Sequence, residues 1–339
     1  MKYFVYLVFV FLIVVNTQAQ VLPYEKEIIN KERFIESEIE FLNIDDNISL
    51  SGTLLLPKKD FNSVVIIIAG SGKDGRNSHF ILVENLLEKN IGVFRFDERG
   101  VGKSNGVSYS CGFETQSQDL FYAINKLRTI ENISKKKIGV IGHSQGGLVS
   151  INTYEKYNNV DFLIQWSSPV EKNGAFVKYQ VNKNNKYFKA IKVDDENDKL
   201  KLISLINNLI LENESDDAVE IFKKAKKYLK KYGFKPYQYK GYIMPCVLEI
   251  IRQNNEIAYQ NVRIPLLYII GSKDLFVNPI NTIKLLNSFN NENITLIKFE
   301  NLNHFLNDKK LTHMSADVYE INLNVVGEII KWINSIDKN

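Results

Sequence analysis

Gly142-His143-Ser144-Gln145-Gly146 is a G-x-S-x-G pentapeptide at a point where chemistry is expected. An apolar run, Lys137–Ile141, precedes it, and a helical pattern over 145–157 follows it. A serine on such a strand-to-helix turn is pushed out at the sheet's C-terminal edge, above a helix N-terminus, and its neighbours must be small. A serine hydroxyl is a weak nucleophile at neutral pH and needs a base, and the base needs an orienting acid. The chain has four histidines: His79, His143, His304 and His313. His143 adjoins the serine and should point away from it at the turn, and His79 comes early. His304 lies in Asn301-Leu302-Asn303-His304-Phe305, just past a short strand-like run at 293–299. That loop position favours it over His313, near the start of the final helix.

The acid should end a late strand, between nucleophile and base. Asp274 does so, after Ile269-Ile270-Gly271-Ser272-Lys273. Glu171, past the preceding strand, is the alternative. The order is then Ser144, Asp274, His304. An oxyanion hole needs two backbone N–H groups. Gln145 should supply one, and Ser71, in Gly70-Ser71-Gly72 after another buried strand, the other.

The elements that must position these residues alternate. Strand patterns at 37–43 and 48–57 flank an Asp-Asp-Asn turn, the second alternating as a half-buried strand would. Continuous β-branched runs at 63–70, 91–97, 136–144, 160–168 and 264–272 fit strands buried on both faces. Helical stretches fall at 78–89, 115–130, 145–157, 278–289 and 316–336. Alternation of this kind predicts an α/β fold with a mostly parallel sheet. The segment 171–262 breaks it: strand signals fade and helical stripes appear. One is Leu200, Ile203, Ile206, Leu209 and Ile210. Another is Val219, Phe222, Ala225, Leu229 and Tyr232, closed by Gly233. This segment reads as a helical cap inserted in a core of residues 35–170 and 263–339, with 20–34 a lead-in. The lysines of 222–240 read as a solvated helix face, with attraction to anionic lipid or an acidic substrate the alternative.

Gly102-Lys103-Ser104 resembles the end of a phosphate loop, but Asp97 stands at the leading glycine's position and no helix pattern follows; Gly72-Lys73 continues with Asp74 rather than Ser or Thr. No dinucleotide fingerprint or metal-ligand spacing stands out, so no cofactor and no metal are expected. The chain has 339 residues, 45% hydrophobic and 24% charged, with a net charge of +4. That composition is globular, and the charge is too small to suggest a nucleic-acid partner. Residues 1–19 carry Lys2, an apolar run of 13 residues from Tyr3 to Val15, and a polar stretch ending at Ala19. The layout is that of a secretory signal peptide, and the run falls short of the ~20 residues that span a bilayer. A periplasmic or secreted protein without a stable membrane span is therefore expected. Export would permit a Cys111–Cys246 disulfide, and two free thiols are the equal alternative.

Taken together, LSGTLLLP (50–57), IAGSG (68–72), FRFDERGVGKS (94–104), IGHSQGG (141–147), GSKDLFVNP (271–279) and NLNHF (301–305) resemble the α/β-hydrolase superfamily over nearly all of 37–336. More narrowly, the chain resembles exported bacterial hydrolases of the serine-aminopeptidase-like and dienelactone-hydrolase-like group, often described as esterases. The resemblance implies Ser144, Asp274 and His304 as a triad, and a structural turn at Asp97, Arg99 and Gly100. Relatives often carry G-S-G-P-x-D-R after the third strand. Here the sequence is Gly70-Ser71-Gly72-Lys73-Asp74-Gly75-Arg76, without the proline and with the acid earlier. The expectation is a serine esterase acting on a small-molecule ester. A serine aminopeptidase, with Glu249 or Glu256 as anchor for an ammonium, and a non-catalytic binding protein on the same fold are the alternatives.

Overall fold

A computed structural model describes residues 22, 25–107, 112–184, 189–310 and 316–337. The signal-peptide expectation for 1–19, Cys111 and His313 lie outside the described residues. Eight strands form one sheet in the order β1-β2-β4-β3-β5-β6-β7-β8. They are β1 Phe34–Asn43, β2 Ile48–Pro57, β3 Ser63–Ile68, β4 Gly92–Phe96, β5 Lys137–His143, β6 Phe162–Trp166, β7 Leu266–Gly271 and β8 Ile294–Phe299. β1 and β2 are antiparallel, and β2 meets β4 antiparallel. Every later pairing is parallel. The sheet is thus mostly parallel, as the β-branched runs require when helices cover both faces.

One face packs on α1 (Phe80–Glu88) and α11 (Leu323–Ile336), through Leu82, Val83, Leu86, Ile329 and Ile333. The other packs on α2 (Phe113–Arg128), α3 (Gln145–Tyr157) and α10 (Pro279–Ser288), through Leu120, Ile124, Ile151 and Leu286. Between β6 and β7 run α4 (Phe176–Asn184), α5 (Glu196–Leu211), α6 (Ala218–Lys230), α7 (Pro236–Tyr239), α8 (Pro245–Arg252) and α9 (Asn255–Asn261). Residues from Phe176 to Ile251 share an apolar cluster of their own. Ala258, Tyr259 and Val262, around α9, instead join the cluster on the sheet.

Three local expectations need correction. β2 is buried on both faces from Leu50 onward rather than half-buried. Its polar side chains are consumed inside: Arg76 donates to Ser51 Oγ (2.8 Å) and Thr53 Oγ1 (3.1 Å). The stripe assigned to α6 is rotated. Val219 is 72% exposed and Tyr232 43%, and the buried positions are Ile221, Ala225 and Leu229. Gly233 does end this helix, at φ 82°. The helix expected over 316–336 is broken. A 3-10 turn covers Ala316–Tyr319, and α11 starts only after Asn322, whose side chain accepts from Asn324 N–H. The backbone N–H of Asn322 meanwhile donates to Leu306 C=O (2.9 Å). The break lets 316–322 brace the loop that carries His304.

Candidate active site

Ser144 sits between β5 and α3 at φ 54°, ψ −117°, a left-handed conformation that an L-residue adopts only where its surroundings enforce it. The enforcing contacts are visible. Ser144 N–H donates to Trp166 C=O (2.8 Å), and Gly147 N–H to Ser144 C=O (3.0 Å). A Cβ on Gly142 would lie 2.4 Å from Gly146 C=O, and one on Gly146 2.3 Å from Ile68 C=O. Both glycines of the pentapeptide are therefore fixed by backbone approach. Ser144 remains half-buried and reachable.

The loop after β3 passes directly over this turn, where a Cβ on Gly70 would lie 3.3 Å from Ser144 Cβ. Next in chain, Ser71 Oγ donates to Gln145 Oε1 (2.9 Å), and Gln145 Nε2 donates to Gln116 Oε1 (3.2 Å). The two residues expected to frame an oxyanion are thus joined by their side chains. The loop's far end is pinned by Arg76, which donates to Asp97 and Glu38 (2.8 Å each). Its middle is pinned by Asp74, whose Oδ2 accepts from the Tyr319 hydroxyl (2.9 Å). Ser78 and the Gly75 N–H are the other polar groups at its buried carboxyl. Asp74 borders a cavity of about 30 Å3 shared with Ala69, Arg95 and Glu98. Burial pushes the Asp74 carboxyl up to about 7. Burial and then Asp74 itself push Glu98 well above the usual range.

Asp274 and His304 come together from the loops after β7 and β8. His304 Nδ1 and Asp274 Oδ2 are 2.8 Å apart, and both side chains are buried. The other carboxylate oxygen accepts from Phe276 N–H (2.7 Å) and Val277 N–H (2.9 Å), so Asp274 cannot rotate away. Glu171 takes no part; its carboxylate accepts from Asn281 (3.0 Å). The His304 backbone is held by Trp166 Nε1–H, which donates to His304 C=O (3.1 Å). Trp166 ends β6, beside β5, and its own C=O accepts from Ser144 N–H. One residue therefore fixes both the serine's backbone and the histidine's.

Sequence reasoning set His143 and His79 aside, and the structure gives them work. The His143 ring stacks on Trp166 (centroids 4.5 Å) and lies 5.1 Å from the His304 ring. His79 Nε2 meets His143 Nδ1 at 3.3 Å, and its ring lies against Tyr319 (4.1 Å). Burial drives His143 well below its usual range, with His304 and His79 adding to the shift. Burial, followed by Arg95, drives His79 down to about 3. Both imidazoles are neutral packing groups under the site. A tryptophan at the end of a strand paired with the elbow strand was the available signal for Trp166. Tyr179, whose hydroxyl donates to Asp274 C=O (2.8 Å) from α4, left no sequence signal.

The remaining motif residues have structural partners. Asp97 accepts from Arg76 N–H (3.0 Å) and Lys103 N–H (2.9 Å), and Ser104 Oγ donates to Asp97 C=O (2.6 Å). Arg99 is bidentate on Asp119 (2.6 and 2.7 Å). Glu249 accepts from Glu114 N–H (3.1 Å) at the start of α2, and Glu256 from Lys172 N–H (3.2 Å). Both candidate ammonium anchors are thus engaged by backbone.

A family model described as serine aminopeptidase, S33, matches residues 59–310, more than half of the chain. The protein YfhR of Escherichia coli K12, described as uncharacterized, is 37% identical over 87 residues, 25% of this chain and 30% of that protein. Its Salmonella typhi counterpart is 32% identical over 87 residues, 25% and 29% of the two chains. The chain thus matches these curated relatives over about 30% of their length. Among solved structures, the esterase Pf2001 of Pyrococcus furiosus superposes with a TM-score of 0.57 at 18% identity, covering 89% of this chain and 93% of that one. Est1E of Butyrivibrio proteoclasticus, solved with ferulic acid bound, gives 0.54 at 18%, covering 86% and 96%. At such identities the likeness bears on the fold alone, and the fold is that of the α/β-hydrolases.

Proposed function

This chain belongs to the serine aminopeptidase S33 family of hydrolases, and from that premise we propose that it cleaves carboxylic esters through Ser144, His304 and Asp274. The observation that carries the reading is the buried 2.8 Å bond between Asp274 and His304 Nδ1, packed against the residue that precedes the serine. With Nδ1 so held, Nε2 is the nitrogen left to serve the nucleophile.

In the first half-reaction Ser144 Oγ attacks the ester carbonyl carbon while His304 Nε2 takes the hydroxyl proton. The carbonyl oxygen becomes an oxyanion, held by the N–H groups of Gln145 and Ser71. Gln145 is the first residue of α3, so its N–H has no carbonyl partner a turn earlier. Collapse breaks the bond to the leaving oxygen, which takes the proton from His304. Water then attacks the acyl-enzyme, with His304 as base, and releases the acid and the free serine. Asp274 keeps the imidazole in the required tautomer and stabilises the imidazolium. The helical segment 171–262 is assigned as the cap that shapes the substrate pocket, and removal of 1–19 with export to the periplasm or beyond belongs to the same proposal.

The esterase neighbours and the backbone engagement of Glu249 and Glu256 favour an ester over a free N-terminal amine. A p-nitrophenyl ester series from acetate to laurate, run beside aminoacyl p-nitroanilides, tests the choice. Ester turnover with a preferred chain length is expected. Turnover of the anilides alone would replace the ester reading with the aminopeptidase one.

A further inference from the structure

Residues 218–244 hold eight lysines and one carboxylate, Glu220, a net of +7 where the whole chain carries +4. The charge is therefore concentrated on α6 and the turn after it. The carboxylates just before the helix sit at its N-terminal end, where Asp217 caps it and Asp216 pairs with Lys224 (2.7 Å). α6 buries Ile221, Ala225 and Leu229, and positions 219, 223, 226 and 230 form one contiguous stripe along a flank of its exposed side, beside Glu220, which pairs with Lys223 (3.5 Å). That stripe carries Lys223, Lys226 and Lys230, all exposed, together with Val219 at 72% exposure. A solvated lysine face accounts for the charges but not for an aliphatic side chain among them.

The apolar surface continues beyond Val219. A groove of about 630 Å3 runs between the start of α6 and the segment around α7. Val219, Phe222, Tyr237 and Met244 line it together with Lys192 and Lys240. Tyr237 is 61% exposed. Exposed apolar and aromatic side chains interspersed with ammonium groups match the chemistry of an anionic bilayer surface. There a helix lies in the interface plane, its apolar groups at acyl depth and its lysines among the headgroups. A soluble anion would need the lysines but not the exposed Val219 and Tyr237.

We propose that this face of α6, with the adjoining groove, docks the protein on an anionic lipid surface. Val219 and Tyr237 enter the interface, and Lys223, Lys226 and Lys230 meet the phosphate headgroups. The contact is peripheral and reversible, and it stands independently of the ester-cleaving reading.

The test is sedimentation of the full chain with phosphatidylcholine vesicles, with and without phosphatidylglycerol, at low and high salt. Wild type is compared with Lys223→Gln/Lys226→Gln/Lys230→Gln and with Val219→Ser/Tyr237→Ser. Whatever the apolar N-terminal run contributes is the same in all three. Wild type should bind the anionic vesicles and be released by salt. Near an anionic surface each lysine is worth about fivefold, so the triple variant should bind about 100-fold more weakly. The double variant should lose vesicle binding while keeping its retention on heparin, and circular dichroism should be unchanged in both. A triple variant that matches wild type on the anionic vesicles, in the full chain and in the chain from Gln20, would overturn the proposal. Unchanged vesicle binding in the double variant would also overturn it and leave a site for soluble polyanions.

Discussion

Asp74→Asn should change how the stability of this protein depends on pH. Asp74 is 5% exposed, with one carboxylate oxygen on the Tyr319 hydroxyl, and it borders a small cavity. Its carboxyl lies at about 7, against an ordinary value of 3.8. A pKa raised by folding means that the folded state binds the proton more tightly. The stabilisation is full below the unfolded value and is lost as pH rises through the folded one. Between about pH 5 and pH 8 that loss integrates to about 2.5 kcal/mol. Asparagine matches the protonated acid in shape and carries no charge, so its variant escapes the loss. Removing Asp74 also relieves Glu98, which its charge pushes up, and this adds in the same direction. His79 and His143 are shifted down by burial and make stability fall as pH drops below about 6.5. They are present in both proteins and cancel in the difference. Urea denaturation at a series of pH values reads the result. With a slope of about 3 kcal/mol/M for a chain this long, the variant's midpoint should gain about 0.8 M on wild type between pH 5 and pH 8. A difference that stays flat, or grows toward acid, would refute the assignment of a protonated Asp74 under the loop.

Three further perturbations follow from contacts at the site. Gly146→Ala puts a Cβ 2.3 Å from Ile68 C=O and 2.4 Å from Ala69 C=O, so the loop carrying Ser71 must move; ester turnover should fall at least about 100-fold, with a lower melting temperature. Asp274→Asn keeps the volume but reverses the hydrogen-bond demand on His304 Nδ1; kcat should drop by about 10^3 to 10^4 with KM little changed, measured on the preferred ester. Trp166→Phe leaves the His304 carbonyl without its donor, which costs about 1–3 kcal/mol in denaturant titrations and lowers kcat.

Much of the site was legible because its chemistry demands local sequence. A serine at φ 54° with backbone packed on both sides requires small residues at 142 and 146, and that requirement is written in the chain. Asp274 and His304 were legible as loop residues after late strands, and the structure brings them together. The supporting contacts were not, because they join distant positions: Trp166 to His304, Tyr319 to Asp74, His79 to His143. Nothing local distinguishes such residues from ordinary core. The α6 face was misread because apolar residues occur on both sides of the helix. Val219 and Ile221 are equally hydrophobic, and only packing against α5 decides which is buried. The break before α11 was hidden because Val318, Ile321 and Val325 are all buried whether or not the helix is continuous. The signal lay in Asn322, a good cap residue within an apolar stripe.

The central claim is that Ser144 is an activated nucleophile, and reaction with a fluorophosphonate probe tests it most directly. The account predicts a single adduct that maps by mass spectrometry to Ser144, is absent in Ser144→Ala, and forms far more slowly in His304→Ala. A folded wild-type protein that takes no label, or an adduct on any other residue, would contradict it.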